Sequence, residues 1–165
     1  RVPMSSREKI LPLLRENARY STEDLARQTG LDAEEVEATI HELEADGVVR
    51  GYRAIVDRNQ IEPERVRASV ELNVTLDRET GYEDIARRLA KFPEVEGLRL
   101  VSGDYDFAMD VEGDSMSEVS NFISEQVAPV PEITKTVTHY IMETYKEGGV
   151  EFEDGDDDDR LSVSP

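Results

Sequence analysis

The chain has 165 residues, 38% of them apolar, and sets 38 acids against 19 bases for a formal net charge of −19 at pH 7. That length holds one ordinary domain or two small ones, and it excludes a long solenoid, a barrel enzyme or a membrane channel. No stretch approaches the roughly 20 apolar residues that span a bilayer and the first residues form no apolar signal segment, so a soluble cytoplasmic protein with no membrane partner is expected. Cysteine is absent, which removes disulfides, thiolate metal sites and cysteine nucleophiles. The bases are 15 Arg and only 4 Lys. Such a surface suits a cytoplasm crowded with salt, where the Debye length falls to about 3 Å and self-repulsion is screened, and it points to a halophilic archaeon. It also speaks against nucleic acid, whose usual electrostatic sign is a basic footprint.

In chain order, Ile10, Leu13 and Leu14 make one helical stripe. Pro12 lies inside it, which predicts a bent or late-starting first helix. Ser21 with Asp24 resembles a capping box and opens a short second helix carrying Leu25 and Ala26, which Gly30 stops. Asp32, with Glu35 three residues on, caps a third helix whose inner face repeats Val36, Ile40 and Leu43, and Gly47 ends it. The turn at Gly30 makes the pair a helix-turn-helix, and Val48 to Val56 reads as a wing of two strands. Residues 1–57 thus form a winged helix-turn-helix.

Residues 58–66, with Pro63 and several charges, read as a hinge. From residue 67 the period changes to two. Val70, Leu72, Val74 and Leu76 alternate as a strand, and Ile85 and Leu89 lie on a helix. Val95 to Val101 and Tyr105 to Val111 are two further strands. Met116, Val119, Ile123 and Val127 mark a second helix, and Ile133 to Tyr145 one long final strand. The order βαββαβ over residues 67–146 predicts an antiparallel ferredoxin-like sheet with both helices on one face, an α+β fold overall. Val70, Leu72, Val74, Phe107 and Met109 are more apolar side chains than one covered face should need, so a second subunit is expected on the other face. Residues 147–165, with Gly148, Gly149, Gly155 and the run Asp156 to Asp159, read as a disordered acidic tail. The run lacks the spaced ligands of a calcium loop, and no metal or cofactor is expected.

Three passages resemble the Lrp/AsnC (leucine-responsive, feast/famine) transcription regulators. They are Leu43-Glu44-Ala45-Asp46-Gly47-Val48-Val49-Arg50-Gly51-Tyr52, Leu100-Val101-Ser102-Gly103-Asp104-Tyr105-Asp106-Phe107 and Thr136-Val137-Thr138-His139-Tyr140-Ile141-Met142-Glu143. The resemblance runs from Arg7 to Lys146. It implies a winged helix-turn-helix that binds double-stranded promoter or operator DNA, joined to a βαββαβ effector and oligomerisation domain, the RAM domain, in homodimers and in tetramer or octamer rings. Family members usually carry Arg or Lys on the exposed face of the recognition helix, whereas residues 32–46 hold seven acids and no Lys or Arg. Counterion release is largely spent at molar salt, so a halophilic binder gains less from cations. The DNA-binding candidates are Arg27, Arg50, Arg53 and Arg58 for phosphates, with Thr39 and His41 facing bases.

The resemblance also implies a small-molecule site between subunits, for an allosteric effector that is usually an amino acid. An ammonium group needs carboxylates, which Asp104 or Asp106 could supply, and a carboxylate needs N–H or hydroxyl donors. Ser102, Gly103 and Tyr105 complete that loop. Thr134, Thr136 and Thr138, placed on one side of the last strand by its alternation, could add hydroxyls, and Leu100 and Met142 could meet an apolar ligand side chain. Each feature has a plainer alternative: arginines paired to surface acids, a simple hairpin, and threonines packed across strands. Two rival functions stand beside the regulator. One is a sensor or assembly module whose acidic helix-turn-helix contacts protein. The other is an enzyme like the siroheme decarboxylases of the same architecture, for which His41 and His139 make a poor acid–base pair.

Overall fold

A computed structural model describes residues 2–152 of the chain. Two compact units divide between Ala54 and Ile55. In the first, α1 spans Ser6–Glu16, α2 Thr22–Thr29 and α3 Ala33–Ala45. Helix α1 starts early because Ser5 and Glu8 cap each other: Ser5 Oγ accepts the Glu8 N–H and the Glu8 carboxylate accepts the Ser5 N–H. The helix runs through Pro12 without a break. Pro12 lies on the exposed side, where water can reach the carbonyl that the missing N–H leaves unpaired. The late start read from the sequence is therefore corrected.

The Ser21–Asp24 capping box opens α2, and Gly30, at φ 76°, closes it in the left-handed conformation that suits glycine. Asp32 accepts the Glu35 N–H at 2.8 Å and opens α3. Ile10, Leu14, Leu25, Val36 and Leu43 meet in one small core. The wing is a second correction, since residues 48–56 carry no strand. A ribbon of two short strands with Gly51 at its centre has little to hold it in one chain.

In the second unit a 3₁₀ turn (Arg58–Gln60) precedes β1 (Val66–Val74), α4 (Tyr82–Ala90), β2 (Val95–Leu100), β3 (Phe107–Gly113), α5 (Met116–Phe122) and β4 (Ile133–Tyr140). The sheet order is β2-β3-β1-β4 with every pairing antiparallel, so the predicted α+β fold is present. Helix α5 continues as a π turn over Ile123–Val127, in which the Ala128 N–H reaches the Ile123 carbonyl. That wider turn keeps Val119, Ile123 and Val127, four residues apart, all in the core.

The register decides which side chains share a face. Val70 stands opposite Met109 and Leu72 opposite Phe107; all four are buried with Ile85 and Leu89 of α4 and Val119 and Phe122 of α5. The apolar residues expected to need a second subunit are thus covered by the chain's own helices. The opposite face carries Arg67, Ser69, Glu71 and Asn73 from β1, Asp110 and Glu112 from β3, and Lys135 and His139 from β4. It is a charged face, with Arg99 paired to Asp110 and His139 bonded to Glu71.

The final strand is also shorter than its pattern suggested. β4 ends at Tyr140, and a separate hairpin pairs β5 (Lys146–Glu147) with β6 (Val150–Glu151). Gly148 and Gly149 form its two-residue turn, both at positive φ. A side chain at Gly148 would strike Ile55, since its Cβ would lie 2.7 Å from Ile55 Cδ1. Residues 147–152, read as tail from the sequence, are therefore ordered. The run Asp156 to Asp159 lies outside the described residues.

Candidate functional site

In the first unit the exposed side of α3 presents Ala38, His41 and Glu42. Thr39 is not among them. It is 4% exposed and donates its hydroxyl to the Glu35 carbonyl at 2.7 Å, a bond within the helix that satisfies a buried hydroxyl. Thr39 is thereby corrected from base reader to core residue. Arg27, at the end of α2, is exposed and paired with Asp24 at 2.9 Å. Arg50 folds its guanidinium back toward Gly47, 3.3 Å from where a Cβ would stand. Arg50 and Arg53 border a groove of about 390 Å³ floored by Leu11, Leu14, Val48 and Val49.

Arg7, which the sequence reading missed, contacts Asp46 and Glu42 at the end of α3. It gives the most acidic helix a cation, and no local spacing could have revealed a partner 39 residues away.

Arg58 is a further correction. It belongs to the second unit, where it bonds Glu112 at 2.6 Å, so its charge is committed to a structural pair and not to phosphate. Glu112 is 8% exposed. Burial pushes its carboxyl up, but the Arg58 hydrogen bond and charge outweigh that and hold it below the usual 4.5. A folded-state value below the unfolded one means that the pair stabilises at all pH above the ordinary carboxylate range and loses that contribution as pH falls through the lowered value. Arg58→Ala would leave a buried carboxylate with one cation fewer, and a loss of about 2–3 kcal/mol in urea unfolding at pH 7 is expected. The deficit should shrink as pH falls below the ordinary carboxylate range. An unchanged denaturation midpoint would show the pair to be ornamental.

In the same unit, residues 101–106 join β2 to β3. The Val101 N–H reaches the Asp106 carbonyl at 2.9 Å, and Gly103 adopts φ 123°, which favours glycine. Ser102, Gly103 and Asp104 are exposed and Tyr105 is half-buried. Asp106 is committed elsewhere: its carboxylate accepts the Val74 N–H at 2.8 Å and its own N–H reaches the Leu72 carbonyl at 2.9 Å. As a candidate for a ligand ammonium it gives way to Asp104, whose side chain is exposed.

The threonine row is split by a β-bulge. The register shifts between Asn73 and Val74, with Lys135 opposite one and Ile133 opposite the other. Thr134 falls in the bulge and donates to the Asn73 carbonyl at 3.3 Å. Thr136 and Thr138 stand opposite Leu72 and Val70, on the helix-covered side. Leu100, opposite Phe107, is exposed beside the loop. Within one chain the loop, Leu100, Thr134 and Thr136 thus gather at one end of β1. Met142, 94% exposed, follows β4 beyond the Ala68 pairing at the opposite end.

A helix-turn-helix is a DNA-binding motif, and here it is followed by a separate βαββαβ unit with a pinned loop at one sheet end. Family profiles agree with both halves: one described as the AsnC-type helix-turn-helix domain matches residues 8–44, and one described as the Lrp/AsnC ligand binding domain matches residues 67–151. The chain belongs to the Lrp/AsnC family of transcription regulators. It is 38% identical over 158 residues, 95% of each chain, to the HTH-type transcriptional regulator YugG of Bacillus subtilis. It is 26% identical to the leucine-responsive regulatory protein of Haemophilus influenzae, covering 84% of this chain and 83% of that one. Its fold matches a Neisseria meningitidis transcriptional regulator solved with L-Met, at TM-score 0.68 and 20% identity over 88% of this chain and 94% of that one. The family is one of transcription regulators, not of enzymes. Among the described residues no helix is long and apolar enough to cross a membrane.

Proposed function

We propose that this regulator binds promoter DNA through the exposed side of α3 and through Arg27, Arg50 and Arg53, and that an amino acid held at the Ser102–Tyr105 loop modulates it. One observation carries the effector half. Asp106 and the β1 backbone fix the loop so that the Asp104 carboxylate and Ser102 hydroxyl stay open to solvent. That pairing offers an acceptor for an ammonium and a donor for a carboxylate. The amino-acid class is supported by the Neisseria meningitidis neighbour, whose structure is a complex with L-Met.

The protein works in the cytoplasm as a homodimer or a ring of dimers. Support for assembly comes from apolar side chains exposed in the second unit, Ile141, Met142 and Tyr145 among them. Met142 lies at the far end of β1 from its own loop, so it meets the effector only where a second subunit supplies it. Footprinting on the chain's own promoter at molar KCl, with and without each amino acid, tests the whole reading. A protected site whose affinity shifts with one amino acid is expected. No protection at any salt concentration would transfer the helix-turn-helix to a protein partner.

A further inference from the structure

The end of β1 does more than border the effector loop. Asn73 donates from Nδ2 to the Asp104 carbonyl at 2.9 Å, and its own carbonyl accepts the Thr134 hydroxyl at 3.3 Å. The next residue, Val74, gives its N–H to the Asp106 carboxylate at 2.8 Å, while Leu72 receives the Asp106 N–H. Strand β3 has stopped pairing at Phe107, so the loop takes over the hydrogen-bonding edge of β1 that the sheet leaves open. Both flanks of Tyr105 are tied down this way, Asp104 by a side-chain amide and Asp106 by a backbone one.

The register shift between β1 and β4 falls at Asn73 and Val74. A bulge locally bends a strand and re-aims its side chains, and here it accompanies the turn of the Asn73 amide toward the loop. We infer that Asn73 is a positioning residue: it fixes the Asp104 carbonyl and so holds the Gly103–Asp104 segment in the one shape that takes up an amino acid, and it ties that segment to β4 through Thr134. This rests on the reading of residues 102–105 as the effector loop. Asn73 touches no effector in this arrangement; it acts by removing the loop's other conformations, which raises affinity by lowering the ordering cost of binding.

The test compares Asn73→Asp, which keeps the shape but replaces the donor by a carboxylate facing a carbonyl, with Asn73→Gln, which keeps the donor on a longer arm. Amide hydrogen exchange of the full chain at molar KCl is read at residues 101–106 and at α4 and α5, and L-leucine and L-methionine are titrated by calorimetry. One neutral hydrogen bond is worth up to about a factor of ten. Asn73→Asp should therefore speed loop exchange and weaken the bound amino acid by about tenfold each, with α4 and α5 unchanged and Asn73→Gln part-way restored. Wild-type exchange in Asn73→Asp would overturn the inference, as would faster exchange spread evenly over α4 and α5, which marks general destabilisation. If the wild-type chain takes up neither amino acid, the effector reading fails at that point, and loop exchange alone decides the clamp.

Discussion

Lowering KCl from 3 M to 0.1 M should drop the melting temperature of the full chain by roughly 10–20 °C, read by circular dichroism. The formal charge of −19 is spread over a small molecule, and the Debye length grows from below about 3 Å to about 10 Å over that range, so each acid comes to feel several others. The third helix shows the problem locally: Glu34, Glu35, Glu37, Glu42 and Glu44 are all exposed on it, and Glu34 with Glu37 makes a like-charge i, i+3 pair that destabilises a helix. Arg7 relieves only its far end, at Glu42 and Asp46. Several further arginine pairs, Arg27–Asp24, Arg87–Glu83 and Arg99–Asp110 among them, are largely exposed and contribute at most about 1 kcal/mol each. With 38 acids against 19 bases, at least half of the acids have no cation to pair with, so such pairs leave a general repulsion, and a loss of about 2–3 kcal/mol converts at about 4–8 °C per kcal/mol for domains of this size. Equal melting temperatures at the two salt concentrations would refute the halophilic reading of the composition.

Legibility from sequence followed the range of the interactions involved. The caps at Ser21, Asp32 and Gly30 and the stripes of Val36 and Leu43 are local, and each stands where its residues place it. The Ser5–Glu8 box is equally local, but Pro12 seven residues on, which ordinarily breaks a helix interior, contradicts the start that the box sets. What sequence did not show depends on partners far along the chain. Thr39 is the exception: it stands three residues after Val36 and four before Leu43, so local helical spacing already places it on their buried face, while His41 falls on the exposed one. Arg58 has the local surroundings of any arginine near a wing, and its partner Glu112 lies 54 residues further along the chain, so only the folded second unit brings the two together. The threonine row failed for a related reason. Alternation assumes an unbroken strand, and a single bulge at Asn73 takes Thr134 out of phase with Thr136. Asp104 and Asp106 are likewise indistinguishable in sequence, and the backbone N–H of Val74 tells them apart.

Changing Arg50 and Arg53 together to Glu should abolish promoter binding and leave amino-acid binding intact, while Asp104→Ala should do the reverse. The two arginines follow α3 in the first unit, and the loop belongs to the second, so the substitutions disturb different cores. A phosphate contact acts alike on every sequence. The double change should therefore weaken specific and random DNA together and flatten the salt dependence, each lost contact removing about 0.9 from the slope of log K against log salt. Gel shifts across a KCl series read both effects. Asp104→Ala removes one charge-assisted bond to an ammonium, about 1.5–3 kcal/mol, or roughly 10- to 150-fold in calorimetric affinity. Asp106→Ala is the informative control. Its carboxylate holds the Val74 N–H, so its loss should also loosen the loop and be visible in hydrogen exchange, whereas Asp104→Ala should leave exchange as in the wild type. Wild-type DNA affinity in the double arginine variant would move the anchor off residues 50–53. Wild-type effector affinity in Asp104→Ala would reduce the loop to a hairpin and send the site to another part of the second unit.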